Sequence, residues 1–476
     1  MDADVVVVGA GSAGCVLAAR LSEDPRRRVL LLEAGHDERS SDVRQPSRFA
    51  LLSETACNWG YVTVRQASYN WRIIDCPRGK LLGGTSAINA MVYIRGDRRD
   101  YDHWAELGAA GWHWDAVLPC FIKAERQSRG ASELHGGDGP LAVSDPSAPD
   151  ALSHAFVRAA AAAGHAVNED FNGRTMLGAG LYQRTVTEEG LRCSTADAYL
   201  GPALSRPNLQ VVTGAHATRL RFEGPRCTGV EFVAADKPAF VHAASEVLVC
   251  AGAIDSPRLL MRSGLGDPAE LETLGIKVVS PLPDVGRHLH DHPAFNLLFA
   301  TREPVTIAPD SNFAEAGLFM KSEHHAEPGF EADLQFNMLP LAPVLAALRG
   351  QGRGMAIAVT PCRPRSRGRV RLRSAHPFDM PLIDPAYLQQ RRDLELLIEG
   401  VRAVREIASA EPLAPLLNGE LGPGSHLSTD AQLEAAIRAS ADCLWHPVGT
   451  CRMTLPWSTH NCACAVSRVC AWPMPR

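Results

Sequence analysis

Hydrophobic and polar positions along this chain fall into blocks, and the first block sets the frame. Val5-Val-Val-Val8 is a short β-branched run, the pattern of a strand buried in a parallel sheet. Gly9-Ala-Gly11-Ser-Ala-Gly14 follows at once, Cys15 to Leu21 continues as a helix, and Val29 to Leu32 forms a second strand ending in Glu33. Further on, Phe156 to Ala163 reads as an alanine-rich helix stopped by Gly164, while residues 208–212 and 217–220 read as strands. Glu246 to Cys250 is another apolar strand, which residues 251–253 turn into a helix around Pro257 to Met261. From about Pro293 to Leu341 the residues alternate without glycine fingerprints, in the manner of an antiparallel sheet. Arg392 to Ala408 is a strongly amphipathic helix whose expected role is packing.

The first block carries chemistry as well as structure. Glycines let a backbone turn sharply and approach a pyrophosphate, and the following helix offers unpaired N–H groups and a positive dipole end. Glu33 stands about 20 residues beyond the glycines, where an acid holds ribose hydroxyls. A glycine pattern alone could be a structural turn; strand, turn, helix, strand and acid together point to a dinucleotide. An acid at this position favours an unphosphorylated ribose, hence FAD or NAD over NADP.

With 476 residues the chain is too long for one ordinary core, and no repeat or low-complexity linker divides it, so two interleaved domains are expected. A net charge of −5, from 48 basic and 53 acidic residues without a basic block, gives no reason to expect a nucleic-acid partner. Arg26-Arg-Arg28 reads as a solvated turn. The first strand begins too early for a secretory signal and no run of 18 apolar residues occurs, so a soluble, cytoplasmic protein without a transmembrane segment is expected. The 13 cysteines are scattered and lack paired spacing, which suits reduced thiols better than disulfides or a metal site.

A second glycine-rich block runs from Cys76 to Gly96 through Gly83-Gly-Thr-Ser-Ala-Ile-Asn-Ala90. Its small side chains and donors suit a flat ring or a phosphate lying against the backbone. With this block, the N-terminal unit, Gly252-Ala-Ile-Asp-Ser-Pro-Arg-Leu-Leu-Met-Arg-Ser-Gly-Leu-Gly266, Val285-Gly-Arg-His-Leu-His-Asp-His292, Ser366-Arg-Gly368, Ile383-Asp-Pro385 and His446-Pro-Val-Gly-Thr-Cys-Arg-Met453, the chain resembles the glucose–methanol–choline (GMC) oxidoreductases, flavoproteins that oxidise alcohols. The resemblance implies an α/β fold. A Rossmann-like FAD-binding domain (1–150 and 191–292) interleaves with an α+β substrate domain containing an antiparallel sheet (151–190 and 293–440), before residues 441–453 return to the active site.

By the same resemblance, Gly9, Gly11, Ser12, Ala13, Gly14, Glu33 and Ala34 hold the ADP half of FAD, and Ala217 offers its backbone to the adenine. Gly84, Thr85, Asn89 and Ala90 lie along the flavin and its phosphates. Some relatives attach the flavin through a histidine just before the asparagine; Ile88 stands there, so non-covalent FAD is expected. His288 replaces the usual asparagine of its motif, and His292 reads as a satisfied structural histidine. His446 is the expected base, taking the hydroxyl proton of a small alcohol while the carbon passes a hydride to the flavin. The electron acceptor is a quinone, another carrier or oxygen. Two alternatives stay open: a flavin-binding remnant without activity, and a non-redox cyanohydrin lyase.

From Thr454 the resemblance stops, in a stretch rich in cysteine and tryptophan. Reading its codons from their third bases, Asn461-Cys462 must encode Leu, and Trp472-Pro473 and Met474-Pro475 must each encode Ala. The remainder can spell V-D-P-Q-L-R-V-R-G-V-S-G-L-R-V-A-D-A, the segment the family has there. Residues 454–476 are therefore expected to be an aberrant tail from a frameshift near codons 454 to 456, leaving a truncated chain of impaired activity.

Overall fold

Asp2–Val8 takes a central place in a six-stranded sheet in the computed structural model, which describes residues 1–340 and 353–453. Val29–Leu32 runs parallel on one side, with Leu209–Val212 beyond it, and Lys237–Val249 runs parallel on the other. Arg226–Ala234 and Ala215–Glu223 extend that side antiparallel. The unbroken apolar sequence of the first strands follows from having a core on both faces. Alternation sends Val5, Val7 and Leu31 toward the helix Ser12–Leu21, which meets them through Cys15, Ala18 and Ala19. It sends Val6, Val8, Leu30 and Leu32 toward the helix Gly252–Arg262, through Leu259, Leu260 and Met261. Strands diverging on either side of Asp2–Val8 open a crevice at their carboxyl ends, where open α/β sheets bind ligands.

The second large sheet is antiparallel. Its spatial order is Leu417–Gly422, Pro293–Thr301, Met355–Pro361, Leu334–Leu339, Ala316–Met320 and Gly178–Leu181, and Asp442–Cys443 pairs with the start of Pro293–Thr301. Helices Ala151–Ala162 and Arg391–Ser409 share one core with this sheet, built on Phe295, Leu297, Phe336, Ile357, Val359, Leu394 and Leu397. Gly400 permits the approach: a Cβ there would stand 2.2 Å from Val359 Cγ1. The α/β class and the antiparallel sheet of the sequence reading are thus present.

Several elements run longer than the sequence pattern indicates. The strand expected at 217–220 spans Ala215–Glu223, and its hairpin partner Arg226–Ala234 has no counterpart in that pattern because Thr228 and Glu231 interrupt the apolar run. The last part of the expected alternation, at Leu341, and the tail 454–476 lie outside the described residues. Among the described residues Cys15, Cys57, Cys76, Cys120, Cys193, Cys362 and Cys443 are thiols outside any disulfide, no cluster could hold a metal ion, and no helix is long and apolar enough to cross a membrane.

Candidate functional site

Two glycine-rich turns meet at the carboxyl end of the first sheet. Gly9 takes φ +96°, and a Cβ there would stand 2.7 Å from the Cys250 carbonyl oxygen, so this turn is open to glycine alone. Gly14 backs onto the Gly9 carbonyl, where a Cβ would fall 1.8 Å away, which fixes its role as close packing of helix on strand. Against these turns and the start of Gly252–Arg262 runs a cleft of about 680 Å³. Gly9, Gly11, Ser12, Ala13, Glu33, Ala34, Gly84, Thr85 and Ala217 all line it, beside Pro447 to Arg452 at another wall. The helix Ser12–Leu21 starts at this lining without a side-chain cap, leaving its first N–H groups for a ligand.

The charges around the cleft suit an anionic, hydroxyl-bearing ligand. Glu33 is buried; its carboxylate accepts the Ala10 N–H at 2.7 Å and the Gly35 N–H at 2.8 Å, yet burial pushes its pKa up to about 7. Each oxygen keeps a lone pair for a further donor. Arg78 lines the cleft and donates to the carbonyls of Pro77 and Trp445, with burial lowering its pKa. Arg262 also lines it and donates to the Pro377 and Ala217 carbonyls, while burial and the nearby Arg258 push its pKa down to about 10.

The segment that carries His446 is stitched to residues 286–294 through its backbone. Leu444 N–H donates to the His292 carbonyl at 3.0 Å, His290 and Val448 exchange hydrogen bonds at 3.0 and 2.9 Å, and Gly286 N–H donates to Thr450 at 2.9 Å. Thr450 closes the link to the cleft. Pro257 has no N–H to offer the Ala253 carbonyl four residues back, and that carbonyl accepts the Thr450 hydroxyl at 2.5 Å instead. His288 takes φ +61°, which explains why histidine can stand at a position the family fills with asparagine: both tolerate the left-handed region. Trp445 takes φ +59°, strain worth about 1–3 kcal/mol for a bulky residue, directly before His446.

Asp291 anchors the two histidines. This buried carboxylate accepts the His446 N–H at 2.6 Å and the His292 N–H at 2.8 Å, and its other oxygen accepts the Tyr387 hydroxyl at 2.8 Å. His446 keeps open surface; the surrounding protein, then His292, then the Arg78 charge hold its pKa below the ordinary histidine value. Its Nδ1 lies 3.2 Å from His292 Nδ1, with the rings edge to face at 76°. A neutral imidazole beside a glycine-walled cleft can accept a proton from a ligand hydroxyl.

Of the residues picked out in the sequence, Gly14, Asn89, Ala90 and His446 are not among those that line the cleft, and His446 directly precedes Pro447, which does. Asn89 is held by Arg192, which donates to its carbonyl at 2.7 Å and its Oδ1 at 2.9 Å, and the Ala90 carbonyl accepts from Asn312 at 2.7 Å. Asp291, Arg78, Arg262 and Asp255 went unnoticed, although all four lie inside the quoted motifs. Asp255 lines the cleft while accepting the Tyr61 hydroxyl at 2.8 Å and pairing with Arg258, contacts that sequence spacing does not disclose.

Comparison with known proteins identifies the family. Two family models described as GMC oxidoreductase match residues 3–294 and 364–460. The chain is 40% identical over 483 residues to an alcohol dehydrogenase [acceptor] of Pseudomonas putida, covering 94% of this chain and 86% of that protein. It is also 40% identical to the mitochondrial choline dehydrogenase of Homo sapiens, covering 95% and 80%. Among solved structures it is similar to pyridoxine 4-oxidase from Mesorbium loti, with a TM-score of 0.89, 34% identity, and coverage of 95% of this chain and 89% of that one.

Proposed function

Since the chain belongs to the GMC oxidoreductase family, we propose that it binds FAD without a covalent bond and oxidises a small alcohol to an aldehyde or ketone, with His446 as the base. One observation carries this reading. A single cleft has the dinucleotide turns and Glu33 in one part of its lining, and Pro447, next to His446, in another.

The lining fits FAD. Gly9, Gly11, Ser12, Ala13, Gly14, Glu33 and Ala34 serve the ADP half, with Glu33 accepting ribose hydroxyls and Ala217 meeting the adenine through its backbone. Arg78 and the helix start at Ser12 balance phosphate charge. Gly84 and Thr85 provide a wall without bulky side chains, and Asn89, held by Arg192, and Ala90, held by Asn312, follow in the same segment. Ile88 is a buried hydrocarbon beside Leu52 and Ala87 and offers no atom for a covalent link. When bound, FAD supplies the two-electron acceptor for the hydride. His446 takes the hydroxyl proton, and Asp291 holds the His446 backbone at the cleft wall. Electrons leave to a quinone, another carrier or oxygen.

The test is to purify the chain, record its flavin absorbance, and add primary alcohols, choline and polyols without oxygen. Bleaching by one alcohol class is the expected result. A yellow protein that no alcohol bleaches would overturn it in favour of an inactive flavin-binding remnant. Cleavage of a cyanohydrin without bleaching would show a lyase.

A further inference from the structure

His292 satisfies a backbone carbonyl, and it does more than that. Its Nε2 lies 3.0 Å from the Cys362 carbonyl oxygen. A carbonyl only accepts, so Nε2 must carry the hydrogen. The neutral ring then has a bare Nδ1, and that atom is 3.2 Å from His446 Nδ1. Two bare nitrogens cannot bond, so the hydrogen between them belongs to His446 Nδ1. A neutral His446 with its hydrogen on Nδ1 has its lone pair on Nε2.

From this chain of contacts we propose that His292 is a positioning residue for alcohol oxidation, setting the tautomer of His446 so that Nε2 is always the accepting nitrogen. The inference rests on His446 being the base. The alcohol proton moves to Nε2, and the imidazolium so formed keeps its Nδ1–H directed at His292. The Cys362 carbonyl thus acts on the reacting nitrogen through two rings. The polarity runs one way only, because neither the carbonyl nor the bare Nδ1 of His292 can donate. Burial disfavours the protonated form of His292, which would reverse the relay, although the adjacent Asp291 pulls the other way. Arg363 also faces His292, and Arg78 faces His446; both charges disfavour a cation on these rings. The backbone N–H groups of both histidines go to Asp291, which holds the rings in register without entering the relay.

The experiment is selective ¹⁵N-histidine labelling of the full chain, with the tautomer read from ring ¹⁵N shifts, in the parent and in His292→Leu and His292→Gln. The parent should show His446 protonated at Nδ1 and bare at Nε2. Leucine removes the acceptor, so the Nε2–H form of His446 should appear and flavin reduction by an alcohol should slow roughly 10- to 1000-fold, as a misprotonated base does. Glutamine presents an amide N–H to Cys362 and an oxygen to His446, and should keep the parent tautomer and a rate within about threefold of it. Alcohol affinity should stay close to the parent value in both variants. A parent spectrum showing Nε2–H, or a leucine variant that keeps both the Nδ1–H tautomer and the rate, would overturn the proposal. Loss of tautomer control in leucine and glutamine alike would also overturn it, since the acceptor atom would not be the cause. The base assignment is tested apart from this: His446→Ala with undiminished reduction would remove His446 as base, while the tautomer readout in the parent would still stand or fall alone.

Discussion

Gly84 rests on Gly11 so closely that a Cβ on Gly84 would come within 2.6 Å of the Gly11 Cα. The two glycine-rich turns, far apart in sequence, therefore form one surface. Gly84 also takes φ +52°, so Gly84→Ala adds left-handed strain of about 1–2 kcal/mol to a clash that must move backbone. FAD retention should fall at least tenfold in that variant. Gly96→Ala is the control: φ there is +96°, with nothing within 4 Å of a Cβ, so it carries strain without the clash. Flavin-to-protein absorbance ratios of the two purified variants make the comparison, and equal retention would show that the contact between the turns does not matter.

Replacing His446 with Ala should lower the rate of flavin reduction by roughly 10²–10⁴-fold, the range for losing a general base, and leave bound FAD in place. Stopped-flow reduction without oxygen separates the two quantities. If flavin content falls along with the rate, the residue acts in binding rather than in proton transfer.

Asp291 serves three donors, and Asp291→Ala leaves the N–H groups of His446 and His292 and the Tyr387 hydroxyl without their acceptor. Each unpaired buried donor costs about 1–3 kcal/mol, part of which an entering water recovers, so a loss of about 2–4 kcal/mol is expected. Asp291→Asn keeps one acceptor oxygen and should lose less. Urea unfolding midpoints of the three proteins give the order directly.

Glu33 sets a pH dependence for cofactor binding. Its pKa in the free protein is pushed up to about 7 by burial, and only the ionised form offers both oxygens to ribose hydroxyls. FAD binding therefore favours the deprotonated carboxyl. As pH falls below about 7 a proton must first be removed, and the Kd should rise toward tenfold per unit; above that pH it should level off. Fluorescence titration between about pH 6 and 8 measures this, and Glu33→Gln should bind more weakly with a flat profile. A sloping profile in the glutamine variant would assign the proton elsewhere.

The sequence disclosed those parts of the fold in which local pattern and tertiary role coincide. Val5 to Val8 had to be buried on both faces because no polar residue interrupts them, and Gly9 had to be glycine because its backbone turns through positive φ against Cys250. The cleft residues of the first motif were legible for the same reason. Asp291 and His292 were not. Their meaning depends on His446, 155 and 154 positions away, and nothing in the spacing of Asp291-His-Pro293 shows that its carboxylate holds the backbone of His446. The Thr450 link was hidden as well: Pro257 is visible as a break in donors, but which hydroxyl takes up the Ala253 carbonyl depends on the tertiary fold.

The backbone ladder between residues 286–294 and 442–450 has a consequence for engineering. His446 is set in place by peptide groups and by Asp291 bonding to its N–H, so little of its placement depends on its own side chain. Position 446 is in effect a socket: whatever side chain is placed there is presented toward the same side of the same wall. Saturation of this one codon should then sample reactivity without sampling folding, and a scaffold of this kind could exchange its proton acceptor for a donor or an inert group at little risk to the rest of the molecule.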